Sequence, residues 1–306
     1  MHTTEPFSLL LTVHRGDRPD FVRQAFRSSV QHQTRRPDQV VLVQDGPVHE
    51  QLARCLAACA ALSPVPVTRV TLEHNCGLGP ALDAGLQASA HEVIARMDAD
   101  DVSMPQRFAV QMPLIEAGAD LVGAGLLEFG CDLDDIVGRR TPPHLPEDIA
   151  RYSRFHDPFN HPTVIYRRST VLAAGGYGDL PLMEDYWLFA RMIASGAKVM
   201  NVPEPLVYYR VGDGAYRRRG GLDQLRSELG LQRRLREAAF TTRLQYARNV
   251  LVRGGYRLLP EFIRRPAYRR VIATYGERLS GRFGPAVVFE TCGDPQPHET
   301  PFERAT

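Results

Sequence analysis

Through Glu116 the chain repeats one pattern four times: a short apolar run, a polar end, then a helix-forming stretch. The apolar runs are Ser8–Val13, Gln39–Val43, Val67–Leu72 and Glu92–Met97. Each has strand length and is rich in Val, Leu or Ile, as expected of strands buried on both faces. The predicted helices are Asp20–Gln31, with Phe21, Ala25 and Val30 on one side, and Gln51–Leu62, ended by Pro64 and Pro66. Leu78–Ser89 follows, with Leu82 and Leu86 four apart, and a fourth helix runs from Ser103 through Glu116. Gln106, three residues after Ser103, completes a capping box. Strands alternating with helices through short connections predict an α/β fold with a doubly wound, mostly parallel sheet.

After Gly118 the pattern loosens. Asp120–Leu127 and Thr163–Tyr166 predict strands separated by a polar, proline-containing stretch. Met183–Ser195 predicts a helix closed by Gly196, and Lys198–Asn201 and Leu206–Arg210 two short strands. Beyond Arg210 the sheet signal stops, and an Arg-rich, mostly helical segment runs to about Arg282. The expected division is therefore a doubly wound unit over residues 1–210 and a helical extension over 211–306.

Charge follows the same division. Residues 1–210 carry 25 acidic and 19 basic side chains, net −6, whereas residues 211–306 carry 10 and 18, net +8. No apolar run reaches the roughly 20 residues that span a bilayer. Met1–Phe7 lacks the basic and apolar regions of a secretory signal. The five cysteines form no C-x-x-C pair. A reduced, cytoplasmic protein is the expectation.

The polar strand ends carry the chemistry. Thr12-Val13-His14, Asp45, Asn75-Cys76-Gly77-Leu78-Gly79 and Asp98-Ala99-Asp100-Asp101 each follow an apolar run, and doubly wound sheets bind ligands at the C-terminal ends of their strands. Three carboxylates within four residues repel one another unless solvated, protonated or neutralised. Mg²⁺ suits such a place, since it uses one or two carboxylates plus substrate phosphates. For the cluster alone a solvated acidic turn is the competing reading, and the buried run Val93-Ile94-Ala95 ahead of it favours the cation. The glycines of Asn75–Gly79 suit either phosphate contact at a helix start or a tight turn.

The ordered series of motifs resembles family-2 glycosyltransferases of the GT-A fold, closest to bacterial exopolysaccharide enzymes of the amylovoran type. It comprises Leu10–His14, Ser28–Thr34, Val40–Pro47, Asn75–Gly79, Arg96–Asp101 with Pro105-Gln106-Arg107, Asn160–Thr163, Gly175-Gly176-Tyr177 and Glu184–Leu188. The resemblance implies a nucleoside-diphosphate sugar donor, of which a UDP-sugar is the expected form, and a saccharide or lipid-linked acceptor. It implies that Thr12 and His14 line the nucleotide pocket, that Asp45 accepts from the base imide, and that Asn75 and Gly79 lie near the nucleotide. It further implies Asp98 at the ribose or donor sugar, Asp100 on Mg²⁺ or Mn²⁺ held by the diphosphate, and Asp185 as general base of an inverting displacement. Asp185 also reads as an acid at a helix start, kept ionised by the macrodipole, and His161 reads as a structural histidine.

Two departures stand out. The Gln-x-x-Arg-Trp motif and membrane helices of processive relatives are absent. So is the histidine that many relatives place after the last core strand: Tyr208–Asp213 has none, and Asp213 or the following Arg217–Arg219 run is the expected substitute. A sugar-phosphate nucleotidyltransferase is the alternative, but His14–Arg18 is a poor version of its Gly-rich loop. A non-catalytic nucleotide-sugar-binding scaffold is another, but Asp100 and Asp185 are both present. Residues 211–282 hold 17 Arg against 6 acids, interleaved with apolar residues. That suits either an interfacial segment on an anionic membrane surface at its cytoplasmic face or a helical layer packed on the sheet. No nucleic-acid motif accompanies the charge.

Overall fold

A computed structural model describes residues 4–211 and 221–258. The four apolar runs form β1 (Phe7–His14), β2 (Gln39–Asp45), β3 (Val67–Thr71) and β4 (Val93–Met97), parallel in the order β3-β2-β1-β4. Leu11 pairs with both Leu42 and Met97, and His14 with Asp45, so the polar ends align along one edge of the sheet. Successive side chains of a strand point to opposite faces, which is why β1, β2 and β4, covered on both, are mostly apolar on both, whereas β3 at the sheet edge is only partly buried and carries Thr and Arg. Leu9, Leu11 and Val13 join Val22, Phe26, Leu52, Leu56 and Phe108 in one core. Leu10, Val41 and Val43 join Leu82, Leu86, Leu188 and Phe189 in the other. The helices α1 (Pro19–Phe26, continued by a π turn Arg27–Gln31), α2 (Glu50–Ala61) and α4 (Arg107–Glu116) serve the first face, and α3 (Leu78–Ala88) and α7 (Glu184–Ala194) the second.

The expected capping box does not form. Ser103 belongs to a two-residue strand β5 (Val102–Ser103), and α4 begins at Arg107 after an N-cap Gln106 whose side chain caps nothing. Pro105 is the reason: it disfavours helical backbone at the residue before it. The Ser103 hydroxyl instead accepts from Ser29 Oγ and from Arg107 Nη1, each at 3.0 Å.

Beyond β4 the sheet changes direction. β8 (Ile165–Arg167) lies antiparallel between β4 and β6 (Leu121–Phe129), and β9 (Val199–Arg210) pairs with β6 in parallel. β9 is a single strand where two were expected. Its register against β6 slips beside Pro203 and Pro205, which lack amide protons, so it bulges there rather than ending. The stretch between the predicted strands contains β7 (Ile136–Arg140), paired with β6, and a short helix α5 (Pro146–Tyr152). α6 (Arg168–Ala173) follows β8.

The described part of the Arg-rich extension packs on the sheet unit. Leu231 and Leu235 of the helix Leu222–Glu237, together with Phe240, meet Leu180, Met183, Tyr186 and Ala190 around α7. Glu228 is fully buried and accepts from Arg253 at 2.6 Å and Arg257 at 3.0 Å. Arg253 also donates to the Phe155 carbonyl at 2.9 Å. Part of the positive charge therefore holds the helices together. Leu244, Leu251, Val252 and Leu258 point outward, exposed by 82, 77, 54 and 62%. No helix among the described residues is long and apolar enough to cross a membrane. The Arg217–Arg219 run, Asp213 and everything after residue 258 lie outside the described residues.

Candidate active site

At the end of β1, Thr12 is half-buried and His14 is exposed. Asp17 holds His14 twice, accepting from its amide at 2.7 Å and lying 3.0 Å from Nδ1. That carboxylate raises the imidazole pKa, with Asp45 and Asp100 adding to the effect. Asp45, at the end of β2, accepts from Asn75 Nδ2 at 2.8 Å, the Cys76 amide at 2.7 Å and the Gly77 amide at 3.0 Å. A carboxylate offers about four acceptor positions, and the loop takes three of those of Asp45. Gly46 (φ +82°) lets the loop come this close, since a Cβ there would sit 2.5 Å from the Asn75 amide nitrogen. Gly79 is buried, and a Cβ on it would meet the Gly178 carbonyl at 3.0 Å and Glu184 Cβ at 3.6 Å. Its smallness brings the first turn of α3 against the first turn of α7.

The three carboxylates after β4 do not converge. Asp98 turns back onto Arg96, which is 1% exposed and grips it through both terminal nitrogens, Nη1 at 2.7 Å. Burial opposes the Arg96 charge, but Asp98 together with Tyr177 and Asp101 outweighs it and the pKa rises. Asp101 is buried and accepts from the Arg210 amide at 2.9 Å. Burial, reinforced by Asp98 and Asp100, pushes its carboxyl well above the ordinary range. Asp100 is half-buried, and among the described residues no side chain donates a hydrogen bond to its carboxylate; the side-chain donor it has, Arg210, reaches its backbone carbonyl. Burial, with Asp98 and Asp17 beside it, raises Asp100 to about 6.

Such a carboxylate is stabilised by any cation brought to it. Among the described residues no three His, Cys, Asp or Glu side chains group as a metal site. A lone carboxylate of this kind is compatible with a divalent ion that draws most of its ligands from substrate, the mode Mg²⁺ favours. The residues present fit that arrangement.

Arg210 is the last residue of β9. Its Nε donates to the Asp100 carbonyl at 2.9 Å, and its guanidinium lies between the rings of Phe21 and Phe129 at 3.8 and 4.4 Å. The loop is also held from below. Buried Arg107 donates to the Arg96 carbonyl at 2.6 Å.

Glu184 and Asp185 open α7, as expected. The Tyr186 amide donates to Asp185 Oδ1 at 2.7 Å, and Oδ2 faces His161 Nδ1 at 3.7 Å. The helix start does not decide the titration of Asp185. Burial raises its carboxyl above the ordinary value, against the pull of the Tyr186 amide and Arg96. Glu184 is raised to about 7 by burial and by Asp185. Asp157 is pushed up in the same way, by burial and then by Asp185.

The sequence pattern of glycosyl transferase family 2 matches residues 8–175, more than half of the chain. The chain belongs to glycosyl transferase family 2. It is 36% identical over 262 residues to the amylovoran biosynthesis glycosyltransferase AmsE of Erwinia amylovora, covering 83% of this chain and 94% of that one. It is 30% identical over 275 residues to the Escherichia coli UDP-Gal:alpha-D-GlcNAc-diphosphoundecaprenol beta-1,3-galactosyltransferase, covering 89% and 98%. Among solved structures, a mannosyltransferase from Pyrobaculum calidifontis in complex with GDP-Man and Mn²⁺ superposes with a TM-score of 0.60 at 13% identity, covering 88% and 76%. That likeness identifies the GT-A fold.

For this glycosyltransferase the structure brings His14, Asp45 and Asn75 to neighbouring strand ends, and Gly79 against the residue before Asp185. Asp98 and Asp185, 87 positions apart, are close enough to repel one another, and both feel the charge of Arg96. Arg96, Arg210, Asp17 and Asp157 were not singled out by sequence. Only for Arg96 was there a signal, a lone basic residue inside a buried strand.

Proposed function

We propose that this glycosyltransferase moves a sugar, with inversion, from a nucleoside-diphosphate sugar to a hydroxyl of a saccharide or lipid-linked acceptor in cell-surface or exopolysaccharide biosynthesis. The observation that carries the reading is the shared buried guanidinium of Arg96, which ties a donor-side carboxylate, Asp98, electrostatically to a base, Asp185. Thr12, His14, Asp45, Asn75 and Gly79 form the nucleotide side, with Asp45 accepting the imide N–H at its remaining position. A UDP-sugar donor and a lipid-linked acceptor are favoured because the name of the Escherichia coli relative specifies both.

The acceptor hydroxyl is far too weak an acid to ionise unaided at neutral pH. Asp185 takes its proton while the oxygen bonds to the anomeric carbon and the bond to the diphosphate breaks. A single displacement from the opposite face inverts the configuration. Asp100 would hold Mg²⁺ or Mn²⁺, which when bound neutralises charge on the diphosphate. Asp100→Asn is expected to weaken nucleoside diphosphate binding in Mn²⁺, read by calorimetry, far more than binding of the free nucleoside. Equal losses for the two ligands would remove Asp100 from the metal site.

The extension, residues 211–306, is read as a unit that brings the enzyme to an anionic membrane at its cytoplasmic face. The outward Leu244, Leu251, Val252 and Leu258 support this, since apolar residues beside Arg suit a bilayer interface. The intact protein is expected to float with anionic vesicles, not with neutral ones, and to be released as salt rises. Leu251→Glu should weaken flotation while the fold is kept. Failure to float at low salt overturns the anchoring and leaves the transferase reading untouched.

A further inference from the structure

We infer that His161 is a positioning residue for Asp185, an inference that rests on the reading of Asp185 as the base. Its motif, Asn160-His161-Pro162-Thr163, is left without a role by the nucleotide and metal sites. The residues on either side of the histidine are pinned to β6. Asn160 Nδ2 donates to the Ala124 carbonyl at 2.9 Å, and Thr163 Oγ1 accepts from the Ala124 amide at 2.9 Å. Gln111 Nε2 donates to the Thr163 carbonyl at 2.8 Å. The short 3₁₀ turn His161–Thr163 is thus fixed on both sides, and the imidazole it carries is 8% exposed.

Each ring nitrogen faces a polar group, Nε2 at hydrogen-bond distance and Nδ1 beyond it. Nε2 lies 3.0 Å from the Tyr177 hydroxyl, which lies 3.1 Å from the Tyr166 hydroxyl. Nδ1 lies 3.7 Å from Asp185 Oδ2. An ionised carboxylate only accepts, so the tautomer that serves every partner carries its proton on Nδ1. Tyr166 then donates to Tyr177, Tyr177 to Nε2, and Nδ1–H points at Asp185. Burial, reinforced by Arg96, holds the imidazole pKa well below its ordinary value, so it stays neutral.

The separation of 3.7 Å is longer than a hydrogen bond, and such contacts tighten when substrate binds. Asp185 is then held at two points, by the Tyr186 amide on Oδ1 and by His161 on Oδ2, which aims the carboxylate at the acceptor hydroxyl. A donor on the charged form also favours ionisation. It works against the other groups that face Asp185 and disfavour its charge, which are Asp98, Asp157, Glu184 and Tyr177, and alongside Arg96.

The test compares His161→Leu, His161→Asn and Tyr177→Phe with Asp185→Asn, following sugar transfer at saturating donor across pH, with melting temperature and donor binding measured alongside. His161→Leu is expected to lower kcat by about tenfold to a hundredfold, the range for partners that orient a functional group, with the donor KM unchanged. Its acid limb in kcat should move up by roughly half a unit to one unit, because Asp185 loses a donor to its charged form. His161→Asn keeps an N–H near the place of Nδ1 and should recover most of kcat. Tyr177→Phe frees Nε2 and should shift the limb the same way by less. In the double variant His161→Leu with Asp185→Asn, the loss should be no greater than with Asp185→Asn alone.

Wild-type kcat and acid limb in a folded His161→Leu overturn the inference, as does His161→Asn failing as badly as His161→Leu. If His161→Leu does not fold, an unmoved limb in Tyr177→Phe overturns it. An active Asp185→Asn is a different failure, because it removes the base and not its positioning.

Discussion

Asp185→Asn is expected to fold and to bind donor, yet to lose turnover by roughly 10² to 10⁴. The amide keeps the size of the side chain and its contact with the Tyr186 amide (2.7 Å), but it cannot take the acceptor proton. Glu184→Gln is the control one residue away. Glu184 is raised to about 7 and is 7% exposed, so replacing it removes a charge that burial already opposes, and turnover should stay near normal. The pH profile gives a second check. Asp185 must be ionised to act, and burial raises its pKa, so turnover should fall as pH drops through a value above that of an ordinary aspartate. Normal turnover in Asp185→Asn with an inactive Glu184→Gln would move the base by one position.

Arg96→Met is expected to cost about 3 kcal/mol of stability, the lower part of the range for breaking a buried ion pair. Its partner Asp98 is 25% exposed, so water relieves part of the penalty. The loss arises because Asp98, Asp101, Glu184 and Asp185 all feel this guanidinium. Without it their repulsion is uncompensated in a region with little solvent. Calorimetric melting should show the drop, and Arg96→Met combined with Asp98→Asn should melt higher than the sum of the single changes predicts, since the stranded charge is gone. An unchanged melting temperature in Arg96→Met would mean that the pair is not what holds these acids together. Arg96→Lys keeps the charge but not the two-pronged grip on Asp98, so it should regain more stability than donor affinity.

The chain's own sequence determined the strand–helix alternation, the polar strand ends and the acids at the start of α7. These are local properties. A period of two or of 3.6 residues is written into consecutive positions, and a parallel sheet then aligns its strand ends whatever the loops do. The motif order was equally legible, because it runs along the chain. What was misread locally had a local cause as well: Pro105 denies Ser103 its helix, and Pro203 and Pro205 disguise one long strand as two. Only the tertiary structure decided what each carboxylate does. Asp98, Asp100 and Asp101 look alike in sequence, yet one grips Arg96, one stays without a side-chain donor, and one caps the Arg210 amide 109 positions away. His161 meets Asp185 across 24 positions and two different elements. Such meetings depend on which surfaces pack together, and charge and burial set each titration only after that packing is complete.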